Sequence, residues 1–181
     1  NKFIKDYQFI EIKNKEYKST NMVHSLFKSK YLDSGQEIVI CYTDIIFDEK
    51  IHKNIITHKN KNLLLLKKNW LDIWRGRMSV KKILLDAEDI RIKKNILITI
   101  GKKIKDKMPK YQYMGIIKLK FKDFLKLKNF YKKIKINKID FTSFIDKAIQ
   151  HKIIRINTSI TSKFWYEIDN GDDLKFTEKK I

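Results

Sequence analysis

Long apolar runs without polar alternation are the feature of this sequence that most restricts its fold. The clearest are IVICYTDIIF at 38–47, NLLLL at 62–66 and NILITI at 95–100. Such runs are typical of strands buried on both faces, because half-exposed strands alternate apolar with polar residues. Strands buried on both faces need helices on both sides of the sheet. The sequence therefore predicts an α/β protein with a mixed, mostly parallel sheet and flanking helices.

The boundaries of the predicted elements follow from changes in hydrophobic period. Strands are predicted at YQFIEI (7–12), EIVICY (37–42), NLLLL (62–66), NILITI (95–100), YMGIIKLK (113–120), KIIRIN (152–157) and KFWYEID (163–169). Two apolar stripes at helical spacing predict helices over 124–134 and 141–149, the second with Asp140 as its N-cap. Weaker patterns predict helices over 22–32 and 48–57.

Composition limits the class of protein. The 181 residues suit a single domain over 1–181, and 43% hydrophobic content is that of a folded chain. The sequence shows no run near the ~20 apolar residues of a membrane span and no signal peptide, so we expect a cytoplasmic protein without a membrane partner. Cys41 is the only cysteine, which excludes an internal disulfide, and we expect it to be buried in a central strand.

The formal charge of +20 raises the question of nucleic-acid binding. Only four of the 41 basic residues are Arg, and the 37 Lys are spread along the whole chain. Proteins that read nucleic acid concentrate Arg where bidentate contacts are needed. We therefore expect no specific nucleic-acid partner, although a non-catalytic basic module that binds nucleic acid stays open as an alternative.

Two aspartates follow strand-like runs, Asp44 in IVICYTDIIF and Asp169 in FWYEID. If both lie at the carboxyl edge of one sheet, their hard oxygen ligands suit Mg²⁺ beside a nucleotide phosphate. Either residue alone could instead cap a turn. The pair predicts a phosphoryl or nucleotidyl transferase with Asp44 and Asp169 as catalytic metal ligands.

Eight short segments occur in an order that resembles a known enzyme family. They are STNMVHSLF (19–27), IVICYTDIIFD (38–48), WLDIWRGRM (70–78), DAE (86–88), GKK (101–103), QYMGIIK (112–118), DFTSFI (140–145) and WYEIDNGDDL (165–174). The series resembles the CTP-dependent cytidylyltransferases that act on phosphocholine, aminoethylphosphonate or phosphoglutamine, within the sugar-nucleotidyltransferase superfamily. The resemblance covers nearly the whole chain.

The resemblance implies a Rossmann-like sheet of the nucleotide-diphospho-sugar transferase type. It also implies transfer of CMP from CTP to a phosphate or phosphonate, with Mg²⁺ as cofactor and Asp44 and Asp169 as its ligands. The partners are then CTP, or another NTP, and a small phosphorylated or phosphonate acceptor, with a homo-oligomer left open. The family's LAAGxGxR-type loop has no counterpart here, since the first glycine is Gly35. We therefore expect a chain truncated at its amino terminus, lacking roughly two βα units, and inactive or impaired by itself.

The remaining site candidates come from the same segments. By resemblance, Asn21 is a nucleotide or acceptor contact, although it could simply cap a helix. Arg77 is predicted to fork onto a phosphate and Lys102 to face one. An acceptor pocket for a cationic head group is predicted from carboxylates beside aromatic rings. Its members are Asp86, Glu88, Glu167, Tyr113 and Trp165.

The leading prediction is an enzyme that makes a CDP-linked head group for decoration of surface polysaccharide or lipid. A sugar-1-phosphate nucleotidyltransferase is the alternative within the same superfamily. The sequence offers no zinc spacing among its four histidines and no GxSxG elbow, so a zinc enzyme and a serine hydrolase are not supported.

Overall fold

A computed structural model describes residues 10–29, 35–105 and 107–181 of the chain. Its main sheet has six strands in the order β1-β6-β3-β7-β5-β4, and β2 and β8 form a separate two-stranded sheet. The strands are β1 (Ile38–Cys41), β2 (Ile45–Phe47), β3 (Leu63–Lys67), β4 (Glu88–Lys93), β5 (Ile96–Lys103), β6 (Gln112–Leu119), β7 (Asn157–Thr161) and β8 (Trp165–Glu167). The helices are α1 (Met22–Lys28), α2 (Glu49–Thr57), α3 (Trp70–Arg77), α4 (Val80–Asp86), α5 (Phe121–Ile134), α6 (Phe141–Gln150) and α7 (Gly171–Glu178).

Both faces of the sheet are covered, as the unbroken apolar runs predict. Every residue of β3 and of β6 is buried. Along β3, Leu64 and Leu66 pack with α5 and α6, whereas Leu63 and Leu65 pack with α2 and β8. Each fully buried leucine contributes about 1.5–3 kcal/mol of transfer free energy to this three-layer arrangement.

The predicted mixed α/β sheet is confirmed, but the expected predominance of parallel pairing is not found among the described strands. Only β3 and β7 run parallel, and the other pairs of the main sheet, β1–β6, β3–β6, β4–β5 and β5–β7, are antiparallel. An apolar run reports burial on both faces and carries no information about the direction of the neighbouring strand.

Several predicted strand boundaries need correction. The strand predicted over 7–12 lies partly outside the described residues, and its described part, 10–12, is irregular. The segment 152–156 is likewise irregular, and the strand begins only at Asn157. The strand β4 was not predicted, although EDIRIK alternates charged with apolar residues in the way of a half-exposed strand. Residues 30–32 of the predicted first helix lie outside the described residues.

The starts of α1, α2 and α6 agree with the prediction to within one residue, whereas α3, α4 and α7 were not predicted. Asp140 caps α6, where its side chain accepts a hydrogen bond from the Ser143 amide, as expected. Asp48 caps α2 in the same way through the Lys50 amide. Local side-chain chemistry decides such positions, so they can be found without knowing the fold.

Cys41 is not buried in a central strand as expected. It ends β1, which has a single described neighbour, β6, and its side chain is exposed. None of the described helices is long and apolar enough to cross a membrane.

Candidate active site

The two aspartates are brought together by the small two-stranded sheet. Asp44 immediately precedes β2, and Asp169 lies two residues beyond β8. The strands pair antiparallel with Ile45 opposite Glu167, and the Ile168 amide donates a 2.8 Å hydrogen bond to the carbonyl of Asp44. The backbones of Asp44 and Asp169 are therefore neighbours, although 125 positions separate them in the chain. Both residues are exposed.

Arg77 lies at the centre of an acidic group beside this pair. From the last turn of α3, its Nη2 is 2.9 Å from Asp169 Oδ2 and its Nη1 is 3.4 Å from Glu167 Oε2. Nε and Nη2 also form a fork onto the two oxygens of Asp173, at 3.0 and 2.9 Å. We define Arg77, Glu167, Asp169 and Asp173 as the Arg77 cluster. One guanidinium thus faces three carboxylates in it.

Asp173 fixes the loop that carries Asp169. Its Oδ2 accepts hydrogen bonds from the Asp169 amide at 3.1 Å and from the Asn170 side chain at 3.0 Å. Asn170 in turn caps α7 by accepting from the amides of Asp172 and Asp173. The short loop between β8 and α7 is therefore held by side chains as well as by backbone hydrogen bonds.

The carboxylates of the cluster differ in acidity. Burial raises the pKa of Glu167 to about 7, against the attraction of Arg77, while Asp169 and Asp44 raise it further. The hydrogen bond from Arg77 lowers the pKa of Asp173, although burial opposes this. With three carboxylates facing one guanidinium, ionisation of Glu167 adds to an excess of negative charge in the cluster.

A second partly buried carboxyl, that of Glu88, lies in an aromatic environment. Burial raises the pKa of Glu88 to about 7, partly offset by a hydrogen bond from the Thr142 hydroxyl, which is 2.5 Å from Glu88 Oε1. Tyr113 stacks on Phe141 at 6.4 Å and meets Tyr42 edge-on at 5.7 Å. Among the described residues, the Tyr113 hydroxyl is buried without a hydrogen-bond partner. Negative charge on Glu88, Asp44 and Glu167 raises the pKa of Tyr42, after burial as the main cause, so this ring lies between the two acidic groups.

A cavity of about 470 Å³ opens next to Asp44. It lies between α1, the end of β1 and the start of α6. Its lining residues are Met22, Ser25, Leu26, Ile40, Cys41, Tyr42, Thr43, Asp44 and Phe141. Asn21, predicted as a ligand contact, caps α1 beside this cavity, where its side chain accepts a hydrogen bond from the Met22 amide at 2.7 Å.

The structure gives other positions to several predicted site residues. Trp165 is fully buried and its indole donates to the Met114 carbonyl, so it belongs to the core and not to a pocket. Lys102 points toward Asp146, with 3.7 Å between Nζ and Oδ2. Asp86 ends α4 and is exposed. These three residues came from short segments that resemble a known family, and such segments cannot separate a pocket wall from a core or surface position.

Arg77 also departs from its predicted role. The prediction was a fork onto a phosphate, but the fork holds Asp173 instead, and the side chain is 0% exposed. The contacts of this guanidinium among the described residues are thus all with carboxylates, and its role toward a phosphate stays a prediction.

The donor set suits a hard divalent cation. Mg²⁺ is usually bound through one or two carboxylates together with water and substrate phosphates, not by a full protein cage. Asp44 and Asp169 provide two such carboxylates, and across the described part of the chain no group of three or more His, Cys, Asp or Glu side chains forms a ready metal site. The residues therefore fit a cation that is completed by the substrate.

Sequence reasoning missed the residues that support the site. Asp173 and Asn170 follow the predicted strand in NGDDL, and an Asn that precedes two acidic residues is a recognisable helix start. The Asn-Gly-Asp-Asp pattern predicts the start of α7, but it does not predict that Asp173 pairs with Arg77. Tyr42 and Phe141 were counted only as strand and helix residues.

Comparison with known proteins supports the resemblance found in the motifs. No family model matches the chain. It is 26% identical over 200 residues to the CTP:phosphoglutamine cytidylyltransferase of Campylobacter jejuni, covering 99% of this chain and 75% of that protein.

Solved structures agree on the fold. The inositol-1-phosphate CTP transferase of T. maritima superimposes with a TM-score of 0.66 at 17% identity, covering 92% of this chain and 64% of its own. A UDP-glucose pyrophosphorylase in complex with UDP-glucose gives a TM-score of 0.60 at 12% identity, covering 89% and 62%. The chain thus spans less than two thirds of these structures. It is similar in sequence to a cytidylyltransferase and shares the fold of the nucleotidyltransferases, which confirms the resemblance drawn from its motifs.

Proposed function

We propose that the protein carrying this chain transfers CMP from CTP to a phosphate or phosphonate oxygen of a small head group, and releases pyrophosphate. The observation that carries the proposal is the pairing of Asp44 with Asp169 across β2 and β8. The similarity to a CTP:phosphoglutamine cytidylyltransferase supports the choice of nucleotide and of reaction. Because CTP is a cytoplasmic metabolite, the proposal places the reaction in the cytoplasm.

The reaction needs charge neutralisation more than it needs a protein nucleophile. An oxygen of the acceptor attacks the α-phosphorus of CTP and forms a new P–O bond. The bond between the α-phosphorus and the oxygen that bridges it to the β-phosphorus breaks, and pyrophosphate leaves with that oxygen. Bound Mg²⁺ supplies positive charge between the two anionic reactants. Asp44 and Asp169 would hold this ion, and the cavity beside Asp44 would receive a reactant, with Asn21 at its edge.

The acceptor side is proposed to be the aromatic and acidic region around Tyr113. Tyr42, Tyr113 and Phe141 lie within 6.4 Å of one another by ring centroids, and Glu88 lies beside them. Aromatic faces with nearby carboxylates attract ammonium groups through cation–π and charge interactions. An acceptor that carries an amino or quaternary ammonium group is therefore favoured over a neutral one.

The test is a substrate panel with the full-length protein. CTP and Mg²⁺ are combined with phosphocholine, 2-aminoethylphosphonate or phosphoglutamine, and pyrophosphate release and the CDP product are measured. We expect turnover with at least one of them and its loss in Asp44→Asn and Asp169→Asn, while Asp72→Asn, which changes an exposed carboxylate on α3, leaves it intact. Turnover with hexose 1-phosphates alone would overturn the head-group proposal.

That outcome would favour the second candidate, a sugar-1-phosphate nucleotidyltransferase. The fold similarity to a UDP-glucose pyrophosphorylase is the observation in its favour. UTP paired with glucose 1-phosphate in the same assay separates the two, because the head-group enzyme would use neither. Absence of pyrophosphate release with every NTP and acceptor would contradict both.

A further inference from the structure

Arg77 makes contacts that a phosphate-binding arginine would have to give up. Its side chain is 0% exposed and its guanidinium contacts Glu167, Asp169 and Asp173. Arg75, two residues earlier on the same helix, is exposed. Two arginines of one helical turn therefore face different environments, and only Arg77 is directed into the acidic group.

Asp173 is the fixed end of this arrangement. The residue is 4% exposed, and its carboxylate receives Nε and Nη2 of Arg77, the Asp169 amide and the Asn170 side chain. Bidentate pairing of Arg with a carboxylate is the most directional ion pair available to a protein. Asp173 therefore sets the position of the guanidinium, and the loop between β8 and α7 holds Asp173 in place.

The packing of α3 on α7 brings the two partners into range. Gly76 lies against the ring of Phe176, and a Cβ at Gly76 would come within 2.5 Å of that ring. The missing side chain allows the two helices to approach, so that the end of α3 reaches the start of α7. The geometry of the fork therefore depends on helix packing.

Asp169 is the only exposed member of the Arg77 cluster, with a side chain 57% exposed. Its amide is held by Asp173 and one of its carboxylate oxygens by Arg77. The hydrogen bonds and ion pairs found among the described residues engage only the Oδ2 oxygen of this carboxylate. A carboxylate restrained in this way has lost much of its rotational freedom before any cation arrives.

We propose that Arg77 is a positioning residue: locked by Asp173, its guanidinium orients the Asp169 carboxylate for a divalent cation and does not contact the nucleotide. The inference rests on the proposed function insofar as Asp169 is taken as a cation ligand. Residues that hold a metal ligand in place typically change metal affinity or activity 10–100-fold when they are altered.

The experiment compares two variants that break the fork in different ways in the full-length protein. Arg77→Lys keeps the positive charge but loses the bidentate geometry, and Asp173→Asn keeps the shape but loses the negative charge. Arg75→Lys is the matched control on the same helix. Binding of Mn²⁺ without nucleotide is followed by electron paramagnetic resonance, and the melting temperature, kcat and KM for CTP are measured alongside.

We expect Mn²⁺ binding to weaken about 10-fold in both fork variants, and kcat at limiting metal to fall with it. KM for CTP at saturating metal is expected to stay within about twofold, because no phosphate contact is lost. Arg75→Lys should match the wild type in every measurement.

Three results would overturn the inference. A KM for CTP raised 10-fold or more with Mn²⁺ binding unchanged would make Arg77 a phosphate ligand. A lower melting temperature with unchanged Mn²⁺ binding, or failure of both variants to fold, would assign the fork to stability alone. The proposed function is judged separately, since Mn²⁺ binding that depends on Asp169 in a protein without CMP transfer would contradict that function and leave this inference standing.

Discussion

Two buried aspartates, each in the first turn of a helix, lie toward opposite ends of β3 and have different surroundings. Asp173 begins α7 and contacts Arg77 of α3, the helix that follows β3. Asp123 begins α5 and contacts Asn62, which precedes β3. Asp123 accepts hydrogen bonds from Asn62 at 2.8 Å and from Lys126 at 2.6 Å. Burial acts to raise its pKa, but these donors lower it overall.

The difference lies in what remains after each aspartate is paired. Around Asp123, one lysine and one amide satisfy one carboxylate, and Asn62 also accepts from the Lys120 amide, so the local arrangement is closed. Around Asp173, the same arginine also faces Glu167 and Asp169. Although the whole chain has a formal charge of +20, three carboxylates face a single guanidinium in the Arg77 cluster. The same local motif, an aspartate in the first turn of a helix, therefore has two outcomes. At Asp123 it only stabilises the fold, whereas at Asp173 it leaves unpaired negative charge nearby for a ligand.

Removing a carboxylate at each end gives the largest expected contrast. Asp169→Asn should lower kcat about 10²–10³-fold, because it removes a group that holds charge against the reacting phosphates, with a small effect on stability. Asp123→Asn should leave kcat unchanged and lower the free energy of unfolding by about 1–3 kcal/mol, since a buried hydrogen-bonded charge is lost. Steady-state kinetics and urea unfolding check both. Equal effects of the two substitutions on kcat would remove the distinction.

Two glycines with positive φ, Gly101 and Gly35, allow a comparison of a tightly packed position with an open one. At Gly101, φ is +78° and a Cβ would lie 2.8 Å from the backbone of Thr142 and Ser143, next to Glu88. At Gly35, φ is +75° and a Cβ would meet no atom of the described residues within 4 Å. Gly101→Ala should cost about 3 kcal/mol from strain and backbone displacement, and Gly35→Ala about 1 kcal/mol from strain alone. Similar unfolding midpoints for the two variants would contradict the packing difference.

The pH dependence of stability should report the partly buried Glu88. Its pKa is about 7 in the folded protein and near 4.5 when unfolded. Between these two pH values the folded state binds more protons than the unfolded state. The contribution of Glu88 to the free energy of unfolding is therefore greatest below pH 4.5 and declines by about 1–3 kcal/mol as the pH rises through 7. Urea unfolding of wild type and Glu88→Gln at pH 5 and pH 8 measures the decline. A decline of the same size in Glu88→Gln would assign it to another group.

The smallest effect is expected at Lys102. Its ammonium is 3.7 Å from Asp146 and its side chain is 56% exposed. Solvent-exposed pairs contribute about 0–1 kcal/mol, so Lys102→Gln should change the unfolding free energy by less than about 0.5 kcal/mol. The substitution should also leave KM for CTP unchanged, because the ammonium of Lys102 pairs with Asp146 on α6 and not with a phosphate. An increase in KM of several-fold would restore the phosphate role that the sequence suggested.

The sequence predicted those features that depend on neighbouring residues. Buried strands followed from apolar runs in β3 and β6, and the cap Asp140 followed from a side chain that can satisfy the first amides of a helix. The importance of Asp44 and Asp169 was inferred from their flanking segments. Their adjacency across β2 and β8 agrees with that inference, while their role as metal ligands stays a prediction.

The sequence by itself determined the class of fold, because the length and period of apolar runs dictate which faces must be buried. Only the tertiary structure decided the partners of charged side chains, the direction of strand pairing and the burial of Trp165. Arg77 reaches Asp173 across 96 positions because α3 packs on α7. Electrostatic pairing depends on distance in space, and that distance is fixed only when the helices and strands have packed together.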